Sequence, residues 1–189
     1  MPPPSSQPRI DLADLVVQLS RAAYAEASAG DLTPAQWLAL RFFSRANRFS
    51  RTVSAFAEFH ATTRGTASQT VRALVQRGYL TRSRSERDGR SVQFDLTAQA
   101  RDSLRNDPLD ALQRAAVRLS ARRQQALAED LRQLRDWMAE ERSATTVGAC
   151  ERCGYLKRDG DGFRCGLMDE PLASHELVEF CVRYVPSVR

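Results

Sequence analysis

Lysine is almost missing from this chain: of 28 cationic Lys and Arg side chains, Lys157 is the only lysine. Histidine is nearly as scarce, with two residues, His60 and His175, and no cysteine occurs before Cys150. There is no Gly-rich phosphate loop and no nucleophile motif, so no catalytic constellation can be assembled, and the chain is not expected to be an enzyme. No apolar run approaches the ~20 residues that a membrane span requires. The opening Met-Pro-Pro-Pro-Ser-Ser lacks the apolar stretch of a secretory leader, and the expectation is a cytoplasmic protein with no membrane partner.

What is present is a globular composition. The chain has 189 residues, 42% hydrophobic and 27% charged, enough for one domain with a modest extra module. Residues 1–9, rich in Pro and Ser, cannot build a core and read as a disordered lead. The net charge is +5, but between residues 45 and 105 twelve arginines face five acids. The basic surplus therefore sits on one region, as contacts to a phosphate backbone demand. Arginine favours planar bidentate contacts, yet it dominates the whole chain, so base composition of the coding DNA accounts for the bias as well.

The informative stretch runs from Thr63 to Thr97. Ala67, Val71, Leu74 and Val75 fall on one face of a helical period. The start of that helix carries Thr63, Arg64, Thr66, Ser68, Gln69 and Thr70, followed by Arg72, side chains that can reach phosphates and base edges in a major groove. Gly78 supplies a left-handed stop. Arg82, Arg84, Arg87 and Arg90 then surround Asp88-Gly89, flanked by Leu80 and the alternating Val92, Phe94 and Leu96, which is a hairpin signal. Upstream, Thr33-Pro34-Ala35-Gln36 forms a capping box that opens a helix through Phe43, with Trp37, Leu40 and Phe43 as core. A short helix from Val53 to His60 would bring Phe56, Ala57 and Phe59 against the next one. Residues 31–105 thus read as a winged helix-turn-helix, with Arg45, Arg48 and Arg51 where such a fold meets the DNA backbone.

These residues carry a family resemblance. Leu32-Thr33-Pro34-Ala35-Gln36, Val71 through Leu80, Asp88-Gly89-Arg90-Ser91 and Leu96-Thr97 resemble the successive signatures of MarR-type regulators over roughly residues 10 to 140. The resemblance implies a dimeric sequence-specific DNA-binding regulator, a repressor in its usual form, acting on double-stranded DNA and answering to a small-molecule effector held between reader and dimer helices. It also implies that the wing arginine, Arg90, enters the minor groove while Asp88 holds it in place. Two features depart from the pattern: Gly89 stands where a second arginine is common, and a cysteine-bearing tail follows.

From Ile10 to Ser28 the apolar positions keep helical spacing, closing near Gly30. The resemblance makes this stretch, residues 10–30, a dimerisation helix. After the break at Asn106-Asp107-Pro108, Leu109 to Arg142 holds the longest periodic pattern in the chain, with a break expected at Ser120. As one helix it would span ~50 Å, too long for so small a domain to cover. Residues 106–145 are therefore expected to pair in a homodimer, which would set two recognition helices ~34 Å apart on a palindromic operator. Folding back on residues 10–28 within a monomer is the alternative.

All four cysteines, Cys150, Cys153, Cys165 and Cys181, lie in residues 146–189 and give the spacing C-x2-C-x11-C-x15-C. Four thiolates fit a structural zinc ion that closes a tetrahedron in a segment too small to fold alone. The same ligands fit an iron–sulfur cluster of the four-iron type, and the ending Cys181-Val182-Arg183-Tyr184-Val185-Pro186 resembles small high-potential iron–sulfur proteins. A second CxxC pair, usual for zinc, is missing, and disulfides are disfavoured in a reducing compartment. Zinc would make the tail a clamp; a cluster would make it a redox, oxygen or iron sensor. The expected architecture is mainly α with a small β-hairpin wing: a winged helix-turn-helix, a helical dimerisation region and a small four-cysteine module. A winged-helix protein-docking module without sequence-specific DNA binding is the alternative function.

Overall fold

A computed structural model describes residues 11–25, 31–84, 91–141 and 146–187. The helices of its first half begin at short polar caps. Asp11 accepts from Asp14 N (3.1 Å) to open α1, Leu12–Tyr24. Thr33 and Gln36 form the expected reciprocal box at the start of α2, Pro34–Arg45. Thr52, Thr63 and Thr97 repeat the device for α3 (Val53–Phe59), α4 (Arg64–Gln76) and α5 (Ala98–Ser103), each satisfying an amide three residues on. Gly78 takes φ +77° immediately after α4, the left-handed turn that lets Tyr79 N bond back to Leu74 O at 2.9 Å.

The chain then forms the wing. Strand β1, Leu80–Arg84, runs antiparallel to β2, Val92–Leu96, with Leu80 opposite Leu96 and Arg84 opposite Val92. The tip that should carry Arg87, Asp88 and Arg90 lies outside the described residues, as does the lead of residues 1–9. Under the wing sits an aromatic core in which Phe42 packs on Phe43, Phe56 and Phe59, and Phe43 on Phe56 and Phe94, with centroids 5.0 to 5.9 Å apart. Leu40, Val71, Leu74 and Leu80 close it.

Beyond α5 the backbone tightens into a single 3-10 turn, Leu104–Asn106, and then breaks at buried Asp107, which pairs with Arg41 and caps Leu109 N at 2.9 Å. The long C-terminal pattern is not one rod: α6, Asp110–Ala116, and α7, Ala121–Glu141, are separated by residues 117–120, close to the break expected at Ser120. At 21 residues α7 is about 32 Å long. None of its residues is buried, and Leu127, Leu131, Leu134, Trp137 and Met138 are all at least 40% exposed. The same is true of Leu12, Leu15, Val16 and Leu19 on α1, which packs against α6. No helix among the described residues is long and apolar enough to cross a membrane.

The tail is β-rich. Strand β3, Thr146–Ala149, pairs antiparallel with β7, Phe180–Tyr184, and β4 (Leu156–Asp159), β5 (Gly162–Cys165) and β6 (Glu170–Leu172) form a meander. Between them a 3-10 segment, Ser174–Val178, gives way to β7 at Phe180. A Cβ at Gly148 would stand 2.7 Å from the Tyr184 ring, so any larger residue there would have to displace the ring. The module does not stand apart. Val182 belongs to the same core as Phe56 and Phe94, and Phe180 bridges in parallel to Ala46 at the end of α2.

Candidate nucleic-acid interface

The N-terminal end of α4 and the wing face each other across an open cleft of about 530 Å³ lined by Arg64, Ser68, Arg72, Arg82 and Ser91, over a floor of Val71, Val75 and Phe94. Arg64, Gln69 and Arg72 are exposed along α4, as are Arg82 and Arg84 on β1. The sequence-predicted groups presented outward are therefore two cations and an amide on the helix, joined by two cations on the wing. The small hydroxyls are differently used. Thr63 Oγ1 caps Thr66 N at 3.2 Å and lies 2.9 Å from Thr66 Oγ1, while Thr70 Oγ1 donates to Thr66 O at 3.3 Å. They fix the start of the helix and its first turns, and Ser68 lines the cleft itself.

Arg45, at the end of α2, and Arg48 and Arg51, in the connector of residues 46–52 that leads to α3, behave otherwise. Arg51, expected on the DNA backbone, donates from Nε to Ala46 O (2.9 Å), pairs with Asp95 of β2 (2.8 Å) and reaches Glu179 of the tail at 3.6 Å. Arg48 clamps the buried carboxylate of Glu176 at 2.8 and 2.9 Å and donates to Pro171 O at 2.6 Å. Arg45 stacks over the Phe180 ring at 4.4 Å, and burial lowers its pKa. All three are turned to the tail, which occupies the side of the connector where the sequence pattern suggested phosphates. That pattern contains only the reader, so it could not anticipate a competitor for these guanidiniums more than 120 residues downstream.

Cys150, Cys153, Cys165 and Cys181 all line one cavity, closed in by Phe49, Leu156, Leu167, Met168 and Leu172, and all four are free thiols. The remaining room is about 20 Å³, close to a single water-sized sphere. The four thiols thus share one small, largely apolar pocket. The donor set fits zinc in kind and number, although among the described residues no three His, Cys, Asp or Glu side chains already stand in an ion-holding arrangement. Cys150 and Cys181, the two buried members, act as a pair. The hydrogen bond from Cys150 draws the Cys181 thiol down, against its burial, while donating that bond and being buried push Cys150 up.

The residue that sequence reasoning missed is Asn47. It is completely buried in the connector, and its Nδ2 donates to Cys150 Sγ at 3.5 Å across 103 residues of chain. An asparagine between two arginine-bearing turns gives no local signal for such a role.

Residues 30–91 match the model of the MarR family. Among solved structures, the transcriptional regulator SlyA is similar at 19% identity over 69% of this chain and 96% of its own, with a TM-score of 0.56. The S. aureus MepR–DNA complex is similar at 16% identity over 67% of this chain and 92% of that one, with a TM-score of 0.55. A MarR family protein from Bacillus stearothermophilus is similar at 18% identity, covering 68% and 90%, with a TM-score of 0.53. None of the curated proteins matches the chain. The cysteine module lies beyond the matched family segment, and the part that precedes it has the winged-helix fold of MarR-type regulators.

Proposed function

We propose that this protein is a DNA-binding transcriptional regulator of the MarR type that works as a homodimer on a palindromic operator. One observation carries the reading: the polar, cationic leading end of α4 and Arg82 of β1 open onto a common cleft, in a fold shared with MepR, which is solved as a DNA complex. The exposed apolar side chains of α1 and α7 supply the surface on which two copies would join. Arg64, Gln69 and Arg72 would meet the major groove, Arg82 and Arg84 the phosphates, and Arg90, positioned by Asp88, the minor groove. The test is binding to a duplex selected by the full-length protein from a randomised pool. Arg72→Ala and Arg90→Ala should each weaken binding about tenfold, and taking one arginine away from a phosphate should flatten the salt slope by about one unit. Binding that ignores both sequence and salt would favour the protein-docking alternative.

We further propose that the tail is a thiolate metal site, zinc in the first instance with an iron–sulfur cluster as the alternative; the convergence of four cysteines on one cavity supports the reading. Anaerobically purified protein should be colourless, with one zinc per chain. A brown protein with broad visible absorption and bound iron would replace zinc by a cluster.

A further inference from the structure

The connector between α2 and α3, residues 46–52, is a single layer of chain with the wing on one side and the cysteine site on the other. Toward the wing, Arg51 O accepts from Phe94 N at 2.9 Å and Arg48 O accepts from the Gln93 side chain at 2.7 Å. Toward the tail, Asn47 N donates to Phe180 O at 2.8 Å and Ser50 Oγ accepts from Val182 N at 3.2 Å. Those two bonds flank Cys181 in β7. The side chain of Asn47 completes the set by reaching Cys150 Sγ from the opposite direction at 3.5 Å. Arg51 crosses the layer, touching Asp95 of β2 and Glu179 of the tail.

Asn47 is an expensive residue to keep here. Asn47 and Ser50 are both fully buried, and among the described residues Asn47 Oδ1 has no hydrogen-bond partner. A buried amide with an orphan oxygen is unfavourable unless its donor half meets something stronger than a neutral acceptor. In the zinc-loaded site proposed above the sulfur that Asn47 meets, that of Cys150, is a metal ligand, and donors of this kind around ligand atoms orient a metal site and tune it.

We propose that Asn47 makes the DNA reader part of the shell around the cysteine site, so that the state of the four sulfurs passes through residues 46–52 to wing strand β2 and metal loading is coupled to DNA binding. The inference rests on the metal reading above. Asn47 is a positioning residue in it: a change in charge or spacing at Cys150 and Cys181 reaches the connector through the Asn47 amide and the Phe180–Val182 backbone. The connector in turn holds β2 through Arg51 and Arg48. Because such coupling is reciprocal, zinc tightens the grip on duplex by the same factor by which duplex tightens the grip on zinc.

The experiment uses the full-length protein, reduced, either loaded with zinc or stripped with a chelator. Hydrogen exchange is followed in residues 46–52 and 92–96, with α2 and α4 as internal references. Stripping should speed exchange in both segments about tenfold and weaken binding to the selected duplex by a similar factor. Asn47→Ala should still bind one zinc, yet show both responses reduced by at least half, because only the side-chain route is lost while the backbone bonds to Phe180 and Val182 remain. If that variant does not fold, Asn47→Asp, which keeps the shape and removes the donor, takes its place, and the wild-type comparison stands without either. Zinc bound but both segments unmoved on stripping would overturn the coupling and leave the metal site intact. A full response in a folded Asn47 variant would overturn the role of this residue. Failure of the wild-type protein to bind zinc would remove the metal reading, and the coupling with it.

Discussion

The reader fills its interior with rings and branched chains, Phe42, Phe56, Leu40 and Leu74 among them, whereas the tail's own buried cluster is two cysteines, a leucine and a tyrosine: Cys150, Cys181, Leu172 and Tyr184. The first is a hydrophobic core in the ordinary sense, with close-packed aromatics whose removal leaves a cavity. The second is too small to balance the conformational entropy of some forty ordered residues at roughly 1–2 kcal/mol each. The tail compensates from outside itself. It lends Val182 to the reader's core, and Glu176 and Pro171 accept from Arg48. A segment with few apolar side chains thus gains order by leaning on a neighbour and, in our proposal, by gathering its thiols around an ion.

The sharpest way to break this asymmetry is at the reader's centre. Phe56 is buried to 1% exposure, and Phe56→Ala should cost about 3–5 kcal/mol in urea unfolding. Because the tail rests on that core, its signals should be lost in the same transition; a tail that outlives the reader would refute the dependence. A smaller effect should come from the tail's own packing. Gly148→Ala drives a methyl into the Tyr184 ring and should cost about 1–3 kcal/mol locally. It should appear as faster hydrogen exchange within residues 146–187, with the helical circular dichroism of the reader unchanged. Smallest of all is the seam between the two regions. The Arg48 side chain is 41% exposed while that of Glu176 is 4% exposed, so solvent screens the pair in part, and Arg48→Ala should cost about 1 kcal/mol. Its informative readout is the resolution of one cooperative unfolding step into two.

Much of the reader was legible in advance because its signals are local. Thr33 with Gln36, Thr63 as the cap of α4, Gly78 as its stop, and the alternation of Val92, Phe94 and Leu96 each act within a few residues, and each appears in the structure as the sequence implies. The break between α6 and α7 came close for the same reason. What could not be read was pairing over distance. Arg48 and Arg51 looked like phosphate ligands because nothing near them in the chain could claim their charge. Their partners Glu176 and Glu179 lie on the tail, beyond any periodic signal. The meander of β4, β5 and β6 was equally hidden, since three- and four-residue strands with mixed polarity have no clear period. The four cysteines announced a common site through their spacing, but not which outside residue would join them.

The bond from Asn47 N to Phe180 O also has a consequence for synthesis. A chain emerging from the ribosome in order completes α2 to α5 long before residue 180 appears, so the reader can fold while its connector still faces water. Only the last stretch of translation seals Asn47 and Ser50 from solvent. Truncated chains ending before Phe180 should therefore be folded readers with an open seam, and quality control would meet them as nearly finished protein.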